Sequence, residues 1–219
     1  MKHAKSAERR KRKQSQRRSP QRSGSQATVE AIFEATARIL AREGRAGLNT
    51  NRIAEVAGVS VGTLYGYFSD KDAILLAMAR RELDIARDRV AAALLEPDPE
   101  VHPARRAIRA LVSAYNARGR TRRILMETLF AHGGSDELAR PVNEIAQVLA
   151  RWSGDILPPG PERLSTVGLY VLTRAVDSVV RSATYESVDF MTSREFEDEL
   201  IRLIFGFLGW PLNEDVQSP

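Results

Sequence analysis

The sequence contains no cysteine and only three histidines, which excludes several kinds of chemistry. Without cysteine the chain can form no disulfide, no cysteine-ligated zinc site and no thiol nucleophile, and this composition is typical of the reducing cytoplasm. The histidines, His3, His102 and His132, lie far apart, and none has the HExxH spacing of a zinc site. No set of nucleophile, base and orienting group can be nominated either. We therefore expect no enzymatic activity, no bound metal and no cofactor.

Long apolar runs are also missing. No segment approaches the ~18 consecutive apolar residues of a membrane-spanning helix, and no apolar stretch follows Met1 as in a secretory signal. No alternation of apolar and polar residues predicts a β-strand. The chain has instead an ordinary share of hydrophobic residues, 43%, distributed at helical spacing. The sequence therefore predicts an all-α protein of one or two domains that does not enter a membrane.

Positive charge is concentrated at the N-terminus of the chain. Residues 1–23 hold ten of the 33 basic residues and one of the 28 acidic residues, so their net charge is +9 and that of the remainder is −4. Residues 1–24 also contain almost no apolar side chains, and we predict a disordered basic arm there. Such an arm favours a polyanionic partner, and a passive, solvated terminus is the alternative interpretation.

Apolar residues recur every three to four positions from Val29 onward, and this spacing predicts a series of helices. Their expected ranges are 28–43, 49–57, 60–68, 69–95, 104–115, 121–131, 135–152, 161–185 and 193–209. The first two are expected to end at Gly44 and Gly58. The expected N-caps are Asn49, Ser60, Ser69 and, in a capping box with Glu195, Thr192. This order predicts a small N-terminal helical unit followed by a helical bundle.

The most specific motif lies in residues 48–72, which read LNTNRIAEVAGVSVGTLYGYFSDKD. Two short helices are separated by Gly58, a residue that lets the chain turn. Ser60 is expected to cap the second helix, whose N-terminal end would lie in the major groove of DNA. The apolar positions of both helices can pack on the preceding helix. The spacing therefore indicates a helix-turn-helix unit.

The run IAEVAGVSVGTLYGYFSDKDAILLA, which begins at Ile53, resembles the DNA-binding signature of the TetR (tetracycline-repressor-like) family, and the signature covers the segment from Val29 to Leu76. Its core, A-G-V-S-x-G-T-L-Y-x-Y-F-x-x-K, is highly specific, whereas the rest of the chain resembles the family only in length and helix order. The resemblance implies a helix-turn-helix DNA-binding domain over 25–71 and a helical bundle for ligand binding and dimerisation over 72–211. It also implies a cytoplasmic, homodimeric transcriptional regulator of double-stranded DNA. Such a regulator is usually a repressor that a small-molecule effector releases from a palindromic operator.

Carried over residue by residue, the resemblance implies DNA contacts from both helices of the motif. The predicted DNA-binding residues are Asn49, Thr50 and Asn51 in the first helix, Val61, Gly62 and Tyr65 near base edges, and Ser60, Thr63, Gly66, Tyr67 and Lys71 near phosphates. Tyr65 has two open interpretations, packing and base reading. The second helix offers few groups that distinguish bases, and residues 24–71 hold five basic and five acidic residues. We therefore expect the basic arm to supply attraction to phosphates.

The helical bundle is expected to hold an effector pocket, since such pockets are mostly apolar with a few polar groups. The candidate ligand-binding residues are Tyr115, Asn116, Met126, Thr128, Phe130 and Trp152, for which ordinary core packing is the alternative. Helices 161–185 and 193–209 each carry two apolar strips, more than the surface of a monomer tolerates. We expect a two-fold, four-helix dimer interface there, with a central position of both helices in one bundle as the alternative.

The sequence also fits a function of another class. The chain could be a basic-tailed helical interaction module in which the arm binds RNA or an anionic surface and the bundle binds protein. Sequence-selective binding to a palindromic duplex separates this alternative from a transcriptional regulator.

Overall fold

The computed structural model of the protein describes residues 20–96, 98, 100–116, 119–151, 164–186 and 188–209. Within these ranges the chain forms α-helices and 3-10 helices and no strand, which confirms the predicted all-α fold. The α-helices are α1 (Pro20–Glu43), α2 (Thr50–Ala57), α3 (Val61–Tyr65), α4 (Lys71–Leu95), α5 (Pro103–Asn116), α6 (Gly119–Ala131), α7 (Ser135–Arg151), α8 (Thr166–Glu186) and α9 (Arg194–Leu208). The 3-10 helices span Arg45–Gly47 and Asp189–Thr192. None of the described helices is long and apolar enough to cross a membrane.

The chain folds as two compact units, an N-terminal unit up to Ile74 and a C-terminal unit from Leu75 onward. Helix α1 supplies the longest element of the N-terminal unit. It begins at Pro20, which fits the first turn of a helix because its missing N–H would have no partner there. The predicted start at Thr28 is therefore too late, and residues 20–24, which the sequence assigned to the arm, are helical. Residues 1–19 of the predicted arm lie outside the described part of the chain.

One face of α1 is buried, and a glycine ends the helix. The buried residues are Ile32, Ala35, Thr36, Ile39 and Leu40. Each fully buried Ile or Leu contributes roughly 1.5–3 kcal/mol by leaving water. Gly44, which follows the last helical residue, has a φ of 67° in the left-handed region, where glycine is strongly favoured. The end predicted at this glycine is confirmed.

The N-caps of α4 and α9 each lie one residue after the predicted position. Oδ1 of Asp70 accepts a hydrogen bond from the backbone N–H of Ala73 at 2.8 Å, so Asp70 and not Ser69 caps α4. Ser193 caps α9 instead of Thr192, which is the last residue of the preceding 3-10 helix. In both cases two short polar residues are adjacent in the sequence, and the backbone selects the second one.

Helices α5, α8 and α9 meet in the core of the C-terminal unit. Their buried side chains form one cluster together with a residue of the second 3-10 helix. The cluster comprises Ile108, Tyr115, Leu172, Val176, Val180, Ala183, Met191, Leu200, Ile201 and Phe205. Because the members come from positions far apart in the chain, the core holds together elements that no local pattern connects.

Arg105 is buried in the interior of this unit, although an arginine side chain is usually exposed. Its side chain is 3% exposed, and its Nη1 lies 2.6 Å from Oε1 of Glu197 and 2.8 Å from Oδ1 of Asp198. Both acids belong to α9. A buried guanidinium is stable only when acceptors of this kind surround it, and the sequence of α5 alone does not show them.

The two apolar strips predicted on the next-to-last helix are both present on α8, and the structure separates them. One strip is buried and consists of Leu169, Leu172, Val176 and Val180. The other strip, together with neighbouring positions of α9, leaves large apolar side chains exposed. These side chains are Val167, Val171 and Val179 on α8 and Leu203 and Phe207 on α9. We call this second set the exposed α8–α9 face.

Candidate nucleic-acid interface

Helices α2 and α3 are joined by a sharp turn at Gly58. This residue has a φ of 70° and a ψ of 29°, a conformation in which a side chain is strained. Oδ1 of Asn49 accepts a hydrogen bond from the backbone N–H of Arg52 at 2.9 Å and caps α2. Oγ of Ser60 accepts from the backbone N–H of Thr63, also at 2.9 Å, and caps α3. Both caps and the turn agree with the prediction, and together they fix where each helix begins.

A single buried side chain anchors α3. Leu64 is fully buried, and it faces the core of the N-terminal unit. Just after the helix, the ring of Phe68 lies 5.8 Å from the ring of Phe33 of α1, measured between centroids. The helix itself ends at Tyr65, so the predicted end at Phe68 is wrong, because a turn begins directly after Tyr65. Anchoring at one residue leaves the other side chains of this short helix free to face outward.

The outward face of α3 is exposed. Val61 is 37% exposed, Tyr65 is 52% exposed, and Tyr67, which follows the helix, is 39% exposed. A Cβ atom added at Gly62 would have no neighbour closer than 3.8 Å, so the surface is open at this position as well. The hydroxyl of Tyr65 lies at hydrogen-bond distance from Oγ1 of Thr50, 3.1 Å away. The ring of Tyr65 is thus outside the core, and base reading by this residue stays a prediction.

All eleven predicted DNA-binding residues belong to the N-terminal unit. Nine of them are exposed: Asn49, Asn51, Ser60, Val61, Gly62, Thr63, Tyr65, Gly66 and Tyr67. Thr50 is half-buried beside Tyr65. Lys71 is also half-buried, and its Nζ donates a long hydrogen bond, 3.5 Å, to the carbonyl of Leu48. The contacts of these residues with DNA stay predictions.

The arginines nearest to this surface are engaged with acids of the same unit. Nη2 of Arg52 lies 2.7 Å from Oε1 of Glu43, and Nη2 of Arg45 lies 3.0 Å from Oδ1 of Asp72. The hydrogen bond to Glu43 raises the pKa of Arg52, the guanidinium closest in sequence to the motif's polar side chains. The interface therefore carries little unpaired positive charge. This agrees with the equal numbers of basic and acidic residues over 24–71.

A comparison with protein families identifies the motif that this geometry forms. Residues 32–78 match the profile of the family described as bacterial regulatory proteins, tetR family. Residues 32–78 form a TetR-family domain. The match covers α2 and α3 completely, together with adjacent parts of α1 and α4, so the TetR-family domain contains both capped helices and the turn between them.

A curated relative of the TetR-family domain is an uncharacterized HTH-type transcriptional regulator of Haemophilus influenzae. It is 45% identical over 53 residues, which are 24% of this chain and 28% of the relative. The chain thus matches little more than a quarter of that relative's length. The aligned length is that of one helix-turn-helix domain, so this similarity gives no information about the C-terminal unit.

Solved structures extend the similarity of fold to the C-terminal unit. The multidrug binding protein EbrR, complexed with imidazole, has a TM-score of 0.56 at 21% identity and covers 80% of this chain and 94% of its own. BioQ with its double-stranded DNA operator has a TM-score of 0.51 at 24% identity and covers 83% of this chain and 98% of its own. At such identities the likeness establishes the fold, in which the TetR-family domain precedes a helical bundle.

An apolar cavity of about 160 Å³ lies within the C-terminal unit, between α4, α5, α7, α8 and α9. Tyr115, one of the six predicted ligand-binding residues, lines it. Sequence reasoning missed the cavity wall that α7 provides: Pro141, Val142, Ile145 and Leu149. The apolar stripe of this helix was visible in the sequence. Nothing local, however, distinguishes a stripe that lines a cavity from one that packs in a core.

Four of the other predicted ligand-binding residues lie outside the wall of this cavity. Thr128 is buried, and its hydroxyl donates to a carbonyl of its own helix at 2.8 Å. Met126 is half-buried, and Phe130 is 54% exposed. Asn116 lines a separate cleft, and Trp152 lies outside the described residues. The structure therefore does not bring Asn116, Met126, Thr128 and Phe130 together with Tyr115 around one space.

Proposed function

We propose that this chain is a sequence-specific, DNA-binding transcriptional regulator that acts as a homodimeric repressor. The observation that carries the proposal is the outward face of α3. A five-residue helix, fixed by the Ser60 cap and the buried Leu64, presents Val61, Gly62 and Tyr65 to the surface. These side chains serve no core, and a helix with one exposed face of this kind fits the major groove of DNA.

The eleven residues of the predicted interface would contact different parts of the DNA, as the resemblance to the TetR family implies. Groups near the start of α2 and α3 would contact phosphates and fix the position of the domain, because hydroxyl and amide side chains suit such contacts. Val61 would meet the methyl group of thymine, an apolar contact available in the major groove. BioQ, which shares the fold, is bound to a double-stranded DNA operator, and this supports DNA as the partner. Because that partner is the chromosome, we place the protein in the cytoplasm.

The exposed α8–α9 face supports a homodimer. Val171 is 44% exposed, Leu203 is 41% exposed and Phe207 is 43% exposed, and large apolar side chains clustered on adjacent helices favour a partner surface. An isologous contact of this face with itself would relate two TetR-family domains by a two-fold axis. Two domains related in this way require a palindromic operator.

Release from the operator by a small, mostly apolar ligand is the second half of the proposal. Packed protein interiors contain few voids larger than a water molecule, so the cavity of about 160 Å³ offers space for a ligand. EbrR, which shares the fold, is a multidrug binding protein, and this supports an effector site in the bundle. A ligand that fits the cavity in one conformation of the bundle would shift the DNA-binding equilibrium by its difference in affinity for the two states.

Enrichment of random DNA duplexes by the purified full chain tests the proposal. We expect an inverted repeat, and we expect Gly62→Glu to abolish binding to it, because the new carboxylate would face the phosphates. The open space at Gly62 makes this variant compatible with the fold. Gly119→Glu is the matched control, since it adds the same charge at an equally open position of the C-terminal unit. Enrichment of no common sequence, or equal loss of binding in both variants, contradicts the proposal.

A further inference from the structure

The size of the cavity in the C-terminal unit limits what it can hold. A cavity of about 150 Å³ lined by aliphatic side chains is known to take up a benzene molecule, and the volume here is about 160 Å³. The lining is almost entirely apolar and includes Val90, Leu94, Ile108, Leu111, Ile145 and Leu149. A ligand that matches this volume and lining is therefore a compact apolar body, such as one aromatic ring with a short chain.

Among the described residues, two charged side chains line the cavity, and one of them is already fully engaged. The guanidinium of Arg87 lies 2.6 Å from Glu144, 2.8 Å from Asp88 and 3.2 Å from Asp84. Three carboxylates around one guanidinium leave no excess positive charge for a ligand. This side of the wall therefore offers no site for an anion.

Two further polar side chains in the wall, those of Thr173 and His102, also provide no cation for a ligand. The hydroxyl of Thr173 donates to the carbonyl of Leu169 at 2.7 Å. Burial lowers the pKa of His102, and the nearby charges of Arg106 and Arg105 lower it further, so its ring is neutral at pH 7. A ligand carboxylate would thus meet no cation at either position.

The second charged side chain in the wall is a carboxylate with spare acceptor capacity. Asp177 is 13% exposed, and its Oδ1 accepts a hydrogen bond of 2.7 Å from the hydroxyl of Tyr115. Its Oδ2 lies 4.0 Å from Nε of Arg181, a side chain that is 39% exposed. A separation of 4.0 Å is longer than a hydrogen bond. Burial raises the pKa of Tyr115, so its hydroxyl stays protonated and keeps donating to the carboxylate.

We propose that the cavity binds a small aromatic or aliphatic amine, with the apolar body between α4 and α7 and the ammonium group against the carboxylate of Asp177. This inference rests on the proposed function, because it takes the cavity as the effector site. An ammonium group can donate hydrogen bonds to the carboxylate of Asp177 and bring a positive charge closer to it than Arg181, which lies 4.0 Å away. A ligand carboxylate in the same place would meet Asp177 as a like charge.

Three probes with matched apolar bodies separate the possible head groups: phenethylamine, phenethyl alcohol and hydrocinnamate. Their binding to the full chain is measured by titration calorimetry at pH 7. We expect phenethylamine to bind about tenfold or more tightly than hydrocinnamate, with the alcohol between them, because a charge-assisted hydrogen bond separates the two ends of the series. Asp177→Asn should remove the preference for the amine, since the amide keeps the hydrogen bond from Tyr115 but not the charge.

Two further variants keep the test decisive. Glu186→Gln removes one carboxylate from the exposed end of α8 and should leave the preference unchanged. Tyr115→Phe frees Oδ1 of Asp177 and should increase the preference for the amine, so it gives an answer even if Asp177→Asn does not fold. Hydrocinnamate as the tightest probe would overturn the inference. It would point to Arg122, which stacks over the Tyr115 ring and whose three side-chain nitrogens are buried without a hydrogen-bond acceptor among the described residues.

The same titrations distinguish failure of this inference from failure of the proposed function. Binding of the alcohol or the acid in preference to the amine overturns the amine assignment and leaves an effector site in the cavity. Absence of binding by all three probes overturns the inference together with the effector part of the proposed function. Binding of the enriched duplex by the same protein preparation shows in either case whether the DNA-binding part stands.

Discussion

The candidate site of the N-terminal unit lies on its surface, whereas the candidate site of the C-terminal unit lies in its interior. In the N-terminal unit the side chains of Val61 and Tyr65 face outward, and a buried Leu64 holds their helix from behind. In the C-terminal unit Tyr115 and Asp177 face inward, into a cavity that five helices line. An outward site needs only a short stretch of chain and a firm anchor. An inward site is produced by the packing of distant elements, so its chemistry is set by tertiary structure.

The largest effect is expected from a substitution of Leu64, the buried side chain that anchors α3. Leu64→Ala should destabilise the N-terminal unit by about 2–5 kcal/mol, because it removes a fully buried side chain and leaves a cavity. Urea denaturation followed by circular dichroism measures this loss. Tyr65→Ala, on the next residue, should change stability by only about 0.5 kcal/mol, since the ring is half exposed.

The DNA affinities of these two variants complete the test. Both should lose operator binding, Leu64→Ala through the fold and Tyr65→Ala through the surface. If Tyr65→Ala destabilised the chain as much as Leu64→Ala, the division of α3 into an anchor face and a reading face would be wrong.

The second prediction concerns the exposed α8–α9 face. Val171→Glu or Leu203→Glu should convert the dimer to monomers or insoluble protein. Obligate interfaces often bury more than ~2,000 Å², and an unpaired carboxylate buried in such an interface is strongly destabilising. Light scattering at a fixed protein concentration gives the mass, and operator binding should fall with it. Gly119→Glu should keep the dimer mass, as its carboxylate lies outside this face. An unchanged mass for both soluble variants of the face would refute the dimer assignment.

The contrast between the two units explains which features the sequence could predict. The caps at Asn49 and Ser60 and the turn at Gly58 are local, so short polar residues and a glycine at fixed spacing sufficed. The burial of Arg105 was not predictable, because its acceptors lie on α9. Asp177 could not be assigned to a site either, since its role depends on the Tyr115 hydroxyl from another helix. The DNA-facing residues came from a specific signature, whereas nothing local marked the cavity wall.

The third prediction concerns the source of the positive charge that attracts DNA to the N-terminal unit. The arginines around the outward site are paired, so we expect the basic arm to supply the attraction to phosphates. If each arm engages two or three phosphates, a chain that begins at Pro20 should show a log–log salt slope smaller by roughly 4–5 on duplex DNA. Starting at Pro20 leaves all of α1 in place. Coincident salt dependence of the two chains would mean that the arm is passive.

The smallest expected effect is a pH dependence in the C-terminal unit. Because folding lowers the pKa of His102, the unfolded chain binds its proton more tightly. Stability from this residue is complete above the ordinary histidine pKa of about 6.5 and is lost progressively as the pH falls below it. His102→Gln should flatten the stability profile between about pH 7 and 5, measured by urea denaturation. His132→Gln serves as the control, and an equal flattening by both variants would contradict the assignment to His102.

The central claim, that the outward face of α3 reads DNA, is tested most directly by dimethyl sulfate footprinting of the enriched duplex. This reagent reports on guanines in the major groove. The account predicts protection in two half-sites about one helical turn, ~34 Å, or a multiple of it apart, and loss of that protection with Tyr65→Ala and Gly62→Glu. Protection that is absent from the major groove, or that survives both substitutions, would contradict it.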